Sequence, residues 1–342
     1  MRKLSMVFGL LLCSIFIFAQ SEKQVLFTNK NQSEVFCYRI PSIVKTSKNH
    51  LIAVADERNG NCWDLKDNTN INIAQRISKD GGKTWSEITT PIDFPEGESA
   101  SDPSMVYHPK TKTVFMFYNY MNHKDGKEFR FHIVKSTDNG ATWSKPMDIT
   151  EQVSPPDWKN DFKFITSGLG AVTKEGWLLN TLVRLNDGVY VIGSKDNGNT
   201  WQRFPAVAKM ADETNIVEIE KGKWLLNARV KNLGYRKFYL SEDNGSSWIE
   251  RTETQLEDPT CNASTLKIGK KKLLFSNLHS QKKRENLGIK ISEDNGKTWK
   301  PLKTIEQGSS AYSVLVPLGK KTYGILYEAD GYKDIVFETF RL

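Results

Sequence analysis

The sequence predicts an all-β protein built as a six-bladed β-propeller, and three observations carry that prediction. First, a turn motif of the form S-x-D-x-G-x-T-W recurs five times. It reads SKDGGKTW at 78–85, STDNGATW at 136–143, SKDNGNTW at 194–201, SEDNGSSW at 241–248 and SEDNGKTW at 292–299, with Ser247 replacing Thr in the fourth copy. Second, the copies start 58, 58, 47 and 51 residues apart, the period of a propeller blade made of short strands. Third, no segment sustains a helical period and no low-complexity linker divides the chain. About 323 residues follow the expected leader, and a period of about 50–55 divides them into six units, the unmarked one closing the ring. A single domain is expected over residues 20–342.

The first element is the leader. Arg2 and Lys3 precede an apolar run over residues 6–18, and Ala19-Gln20 follows. This is the layout of a secretory signal peptide over residues 1–19. The apolar run is too short for a comfortable membrane span. Cys13 follows Leu12, which is too large for a lipid-attachment box. The chain is therefore expected to be exported to the periplasm, the cell surface or the medium, without stable membrane insertion.

The strands come next. INIAQRIS, FRFHIVKS, VYVIGS, FYLS and LGIKIS each run directly into one of the five turns. In each turn the Asp can accept hydrogen bonds from its own downstream backbone and the Gly supplies a positive φ. The Trp is expected to pack back on the sheet. These aspartates resemble catalytic pairs on paper, but at one per blade they are spread around a ring and cannot converge on one substrate.

Charge and cysteine content narrow the function classes. Loss of Arg2 and Lys3 with the leader lowers the net charge from +8 to +6, which favours anionic surfaces or substrates. No basic stripe with interleaved aromatics argues for nucleic acid. GKKK at 269–272 and QKKR at 281–284 read as solvated hairpin ends. There is no CxxC, HExxH or EF-hand loop, so no metal is expected. Cys37, Cys62 and Cys261 cannot all pair with one another; Cys37–Cys62 is one available bridge, which nothing in the sequence establishes.

Functional residues of a propeller should be scattered one or two per blade, away from the repeated turns. Arg39 lies in CYRIPSIV, an otherwise apolar strand; Arg229 ends KWLLNARV; Arg284 precedes the strand leading to the fifth turn. A buried charge needs a partner. Three arginines from three blades can converge on one carboxylate, which the planar guanidinium binds bidentately. Taken singly, each could equally be a surface residue laying its stem on apolar neighbours.

The YRIP motif at 38–41, with the five turns, resembles the bacterial exo-sialidases of glycoside hydrolase family 33 along the length of the mature chain. The resemblance implies the following roles. Arg39, Arg229 and Arg284 form the triad that holds the sialic acid carboxylate. Tyr312, in SSAYSVLVPLGKKTYGILYE, is the nucleophile, where packing is the ordinary role of a strand Tyr. A neutral phenol suits an anomeric carbon that carries a carboxylate, but it needs a base to take its proton. Glu213, in ADETNIVEIE, matches that base, although it also reads as an exposed turn residue. Asp64, in AVADERNGNCWDLKD, matches the acid/base residue, with Asp56, Glu57 and Asp67 as neighbouring competitors. Arg58 resembles an Arg that touches the sugar near its 4-hydroxyl, and Asp102 an Asp at the pocket edge near the N-acetyl arm. A loop salt bridge and a turn cap are their plainer readings. Glu328 resembles the carboxylate that orients Arg39.

The function so implied is a retaining exo-α-sialidase, a glycoside hydrolase that frees terminal sialic acid from glycoproteins, glycolipids or oligosaccharides through a tyrosyl intermediate. No cofactor is required by it, and a monomer is expected. The alternatives are a trans-sialidase and a non-catalytic propeller that binds sialylated glycans, which should lack Tyr312, Glu213 or Asp64. A purely structural propeller would explain the turns but not the arginines.

Overall fold

Strand follows strand, so the fold begins as local antiparallel pairing. In the computed structural model, which describes residues 23–30, 35–47, 49–126, 128–319 and 321–342, consecutive strands pair into meanders. The leader expected at 1–19 lies outside the described residues.

Val35–Lys45, Leu51–Asn59, Ile71–Ser78 and Thr89–Ile92 form one sheet; Glu98–His108, Thr113–Asn122, Arg130–Ser136 and Met147–Asp148 form the next. A third is built on Leu178–Arg184, Gly188–Ser194 and Gln202–Lys209, with the short strand Lys163–Ile165 on its inner edge. The fourth runs from Thr214–Glu220 through Lys223–Ala228 and Tyr235–Ser241 to Ile249–Glu257. The remaining strands share one seven-stranded sheet, because Lys300–Gly319 is 20 residues long and serves two neighbours. Its first half pairs with Glu285–Ser292, and its second half pairs with Thr322–Ala329. The first strand, Gln24–Thr28, pairs with the last, Asp334–Arg341.

The arrangement is all-β and propeller-like. Val35–Lys45 packs against Glu98–His108, Thr214–Glu220 lies between Leu178–Arg184 and Ser264–Lys267, and Lys300–Gly319 returns to Val35–Lys45 and closes the ring. Inner strands are buried on both faces, as in Leu51–Asn59, whereas the outer Ile249–Glu257 is mostly exposed. Apolar layers fill the spaces between successive sheets: Val54 and Ile73 meet Met105 and Met116, Phe117 and Ile133 meet Leu182 and Trp201, and Leu26, Phe27 and Phe337 of the closing strands meet Leu51 and Ala53. Among the described residues no helix is long and apolar enough to cross a membrane.

The five repeated turns share one geometry. In the first, Asp80 Oδ1 accepts from Ser78 Oγ at 2.9 Å and from the Thr84 amide at 2.9 Å, and Asp80 Oδ2 accepts from Thr84 Oγ1 at 2.6 Å. Asp138, Asp196, Asp243 and Asp294 repeat this pattern. The tryptophans pack on the preceding sheet of the ring, not simply back on their own: Trp85 meets Phe337 at 5.2 Å between ring centres and Trp201 meets Phe117 at 4.9 Å. The glycine is demanded twice over. Gly198 has φ +78°, and a Cβ there would sit 2.2 Å from the Phe115 ring of the preceding sheet.

Candidate active site

Antiparallel register separates the turns from the expected site. In the fourth sheet Ala228 pairs with Thr214 on one side and Lys237 on the other, while Ser241, which opens the turn, pairs with Trp224 at the opposite end. Glu213 and Arg229 flank the Ala228 end. Arg284, just before Glu285–Ser292, and Glu328, near the end of Thr322–Ala329, hold equivalent positions in their sheets. The site end and the turn end are therefore opposite ends of the same strands.

Three backbone irregularities aim side chains at this end. Val35–Lys45 shifts register between Arg39 and Ser42, with Ile40 at φ 55°. Glu98–His108 shifts between Ser101 and Ser104, with Asp102 at φ 59°. Lys300–Gly319 shifts between Ser310 and Ser313, around Tyr312. A bulge re-aims a side chain, and a β-branched residue at positive φ is uncommon and strained. RIPS at 39–42 and SDPS at 101–104 are thus one device used in successive sheets, a parallel readable in the sequence that its reading overlooked.

Glu328, fully buried, gathers the first arginine. Its Oε1 accepts from Arg39 Nε at 2.7 Å and from the Ile40 amide at 2.8 Å, and its Oε2 accepts from the Tyr312 amide at 3.2 Å. The Arg39 guanidinium lies over the Tyr332 ring at 4.1 Å. Burial alone would weaken the Arg39 charge, but the Glu328 carboxylate outweighs it and raises the guanidinium pKa.

Tyr312 is 7% exposed. Its hydroxyl donates to Glu213 Oε2 at 2.6 Å and accepts from Arg229 Nη1 at 3.1 Å. Arg229 Nη1 also donates to Glu213 Oε2, and Arg229 Nε lies 3.3 Å from Asp212 Oδ2. Burial first, and then the Glu213 carboxylate, push the Tyr312 phenol well above its usual value, while Arg229 and Arg284 oppose the rise. Burial likewise raises the Glu213 carboxyl against the pull of Arg229, which makes it the stronger base. Arg284 bonds to Tyr332 Oη at 3.2 Å and Thr260 O at 3.0 Å, and its guanidinium lies 5.6 Å from the Tyr312 ring.

A cavity of about 560 Å³ opens over this floor. It is lined by Arg39, Asp64, Asp102, Glu213, Arg229, Arg284 and Tyr312 among others, so seven of the nine expected site residues share one wall. Glu328 lies beneath Arg39 and is not on that wall. Asp64 is 85% exposed and accepts from Arg58 Nη1 at 2.8 Å. Of the four carboxylates of its segment, Asp64 alone lines the cavity; Asp56 is fully buried.

Asp102 Oδ2 accepts from Asn119 Nδ2 at 3.1 Å. Burial, then the nearby Asp56 charge, raise its carboxyl well above the usual range. Arg58, expected near the sugar, sits beneath the loop that carries Asp64. Its side chain is fully buried and absent from the cavity wall, and its donors go to Asp56, to the Cys62 and Trp63 carbonyls and to Asp64. The plainer reading, a loop ion pair, describes this geometry, because burial leaves a guanidinium no choice but to satisfy its donors internally.

The sequence reading missed Asp212, Tyr332 and Asn119, none of which carries a local signal; each matters through a partner far along the chain. It also left open the Cys37–Cys62 bridge, which is formed, with Cα atoms 5.8 Å apart, and Cys261 is free and buried. The apolar wall of Phe162, Phe164 and Leu185 was likewise unforeseen. Another concavity, of about 270 Å³, includes Leu225, Phe238 and Ile249 and lies apart from these groups; its Lys223 pairs with Glu242 at 2.9 Å.

Residues 64–325 match the family described as a BNR repeat-like domain. The chain is 32% identical over 333 residues to a sialidase of Bacteroides fragilis, covering 85% of this chain and 60% of that protein. It is 34% identical over 331 residues to a sialidase of Micromonospora viridifaciens, covering 85% and 50%. The chain thus spans between half and three-fifths of the length of these relatives. Among solved structures, the Hadza microbial sialidase Hz136 superposes with a TM-score of 0.83 at 29% identity, over 90% of this chain and 66% of that one.

Proposed function

The chain belongs to the BNR repeat-like domain family, and from that premise we propose that it is a retaining exo-α-sialidase acting on sialylated glycoconjugates. The observation that carries the proposal is the Tyr312–Glu213–Arg229 cluster, set with Arg39 and Arg284 in one cavity. The similarity to sialidases supports it.

The three arginines hold the sialic acid carboxylate. The Tyr312 oxygen attacks the anomeric carbon as Glu213 takes the phenol proton, and the N–H of Arg229 stabilises charge developing on that oxygen. Asp64 protonates the departing glycosidic oxygen. It then takes a proton from water, which attacks the tyrosyl-sialoside; the phenolate leaves and recovers its proton from Glu213. Two inversions retain the configuration. Glu328 orients Arg39, and Asp102 borders the sugar.

We read the ring as six blades, the seven-stranded sheet counting as two. Its long strand changes partners at the Tyr312 irregularity, and an apolar layer containing Leu274, Ile289, Leu315 and Ile325 separates its halves. Export under a leader over residues 1–19 completes the reading.

The test is hydrolysis of a fluorogenic aryl α-sialoside by the purified protein beside Tyr312→Phe. Turnover that collapses by ~100-fold or more in the variant supports the proposal. Binding of sialic acid without release of the fluorophore would make the protein a glycan-binding propeller instead.

A further inference from the structure

The loop that carries Asp64 is fastened to the strand that carries Arg39. Cys37 stands two residues before Arg39 and Cys62 two residues before Asp64, and the two cysteines are bonded. Beneath the loop, Arg58 Nη1 donates to Cys62 O at 2.9 Å, Trp63 O at 3.0 Å and Asp64 Oδ1 at 2.8 Å. The far limb is held by Asn68 Nδ2 on Asn61 O at 2.9 Å and by buried Leu65. The Asp64 side chain itself projects into solvent at 85% exposure, so its place on the cavity wall depends on how firmly the loop is tied.

The bridge is not needed to join the strands. Val35–Lys45 and Leu51–Asn59 are already paired by backbone hydrogen bonds, with Cys37 opposite Arg58 and Lys45 opposite Leu51. What the bridge adds is a covalent link to residue 62, which belongs to no strand. Displacement of a catalytic group by about 1 Å can lower a rate by about 10²-fold.

Resting on the reading of Asp64 as the acid/base residue, we propose that the Cys37–Cys62 disulfide is a positioning device for catalysis, holding Asp64 at the height where it reaches the glycosidic oxygen. The bridge acts on proton delivery to the leaving group. It leaves the Tyr312–Glu213–Arg229 cluster and the arginines in place.

Leaving-group dependence isolates that role, because an aryl sialoside with a good leaving group needs little protonation and a galactose-linked sialoside needs it fully. In the purified protein, the double variant Cys37→Ser/Cys62→Ser is expected to lose at least ~10-fold in kcat/KM, which reports the leaving-group step and not the later hydrolysis of the intermediate, on sialyllactose while staying within ~3-fold in kcat/KM on the activated aryl sialoside. Asp64→Asn serves as the reference and is expected to show the same selectivity, more strongly. Equal losses on both substrates, or no loss on either, in the cysteine variant beside a selective Asp64→Asn would overturn the positioning role alone. An unselective Asp64→Asn would remove the acid/base reading and this inference with it. Should the double variant fail to fold, the folded wild type reduced with a phosphine gives the same comparison.

Discussion

The two ends of the strands use carboxylates in opposite ways. At the turn end, the Thr84 hydroxyl and amide hold the Asp80 carboxyl down to about 2, Thr142 does the same for Asp138, and Ser247 for Asp243. Asp196 and Asp294 also fall to about 2, with partial burial opposing and the threonine hydrogen bonds outweighing it. At the site end, burial pushes the carboxyls of Asp102 and Glu213 up. The turn aspartates meet all their donors within a few residues and face water. Glu213 and Glu328 meet partners from other sheets where water is excluded, as with Glu213 and Tyr312, 99 residues apart. Local satisfaction makes the turns five independent pieces, whereas convergence makes the site a single unit.

If that contrast is right, one deletion at the site end should damage stability and function together. Glu328→Ala leaves Arg39 and the amides of Ile40 and Tyr312 without their acceptor, and breaking such a buried pair costs about 3–5 kcal/mol. Denaturant unfolding measures that loss, and KM for the aryl sialoside should rise with it. Unchanged stability would mean that the clamp on Arg39 is dispensable. Glu213→Gln sharpens the point by keeping shape and removing charge; kcat should drop by about 10²–10⁴-fold, and a variant that retains its rate would exclude Glu213 as the base.

The turn end should show the reverse pattern. Gly198→Ala forces a Cβ against Phe115 at positive φ, and overpacking of this kind costs about 1–3 kcal/mol. Its melting temperature should fall while kcat/KM holds; a loss of activity in the folded variant would show that the two ends communicate.

The smallest effects are those of pH, and the signs differ. A depressed carboxyl stabilises the fold above its unfolded value and loses that contribution as pH falls through its folded value. Stability should therefore decline between about pH 4 and pH 2 as the turn aspartates protonate, and Asp138→Asn should flatten the decline in unfolding measured across that window. Asp102 and Glu213 have raised carboxyls, so their contribution is present at low pH and lost as pH rises. Because Glu213 must be ionised to act as base, the acidic limb of kcat/KM should lie above the ordinary glutamate value of 4.5. A limb below that value would assign it to another group.

The same contrast explains what could be read from the sequence. The turns were legible because every donor and acceptor lies within eight residues. Arg39 was legible because a charge inside an apolar strand demands a partner, and the resemblance supplied Glu328, 289 residues away. Asp212, Asn119 and Tyr332 were not legible, because nothing near them differs from an ordinary loop or strand. The burial of Arg58 was not legible, because it depends on a loop that folds back over it through Cys62, Trp63 and Asp64. The sheet count was obscured by Lys300–Gly319, whose two halves serve different neighbours without a turn between them.

Pairing of Gln24 with Phe337 joins the two ends of the described chain. The inner meanders can assemble from neighbouring segments as synthesis proceeds, but Arg39 cannot meet Glu328 or Tyr312 until residues 312–328 have been made. A chain stopped short of these residues would thus carry most of its sheets and yet lack the Arg39–Glu328 pair. Synthesis of residues 312–328 is what brings Arg39 its acceptor and joins Tyr312 to Glu213.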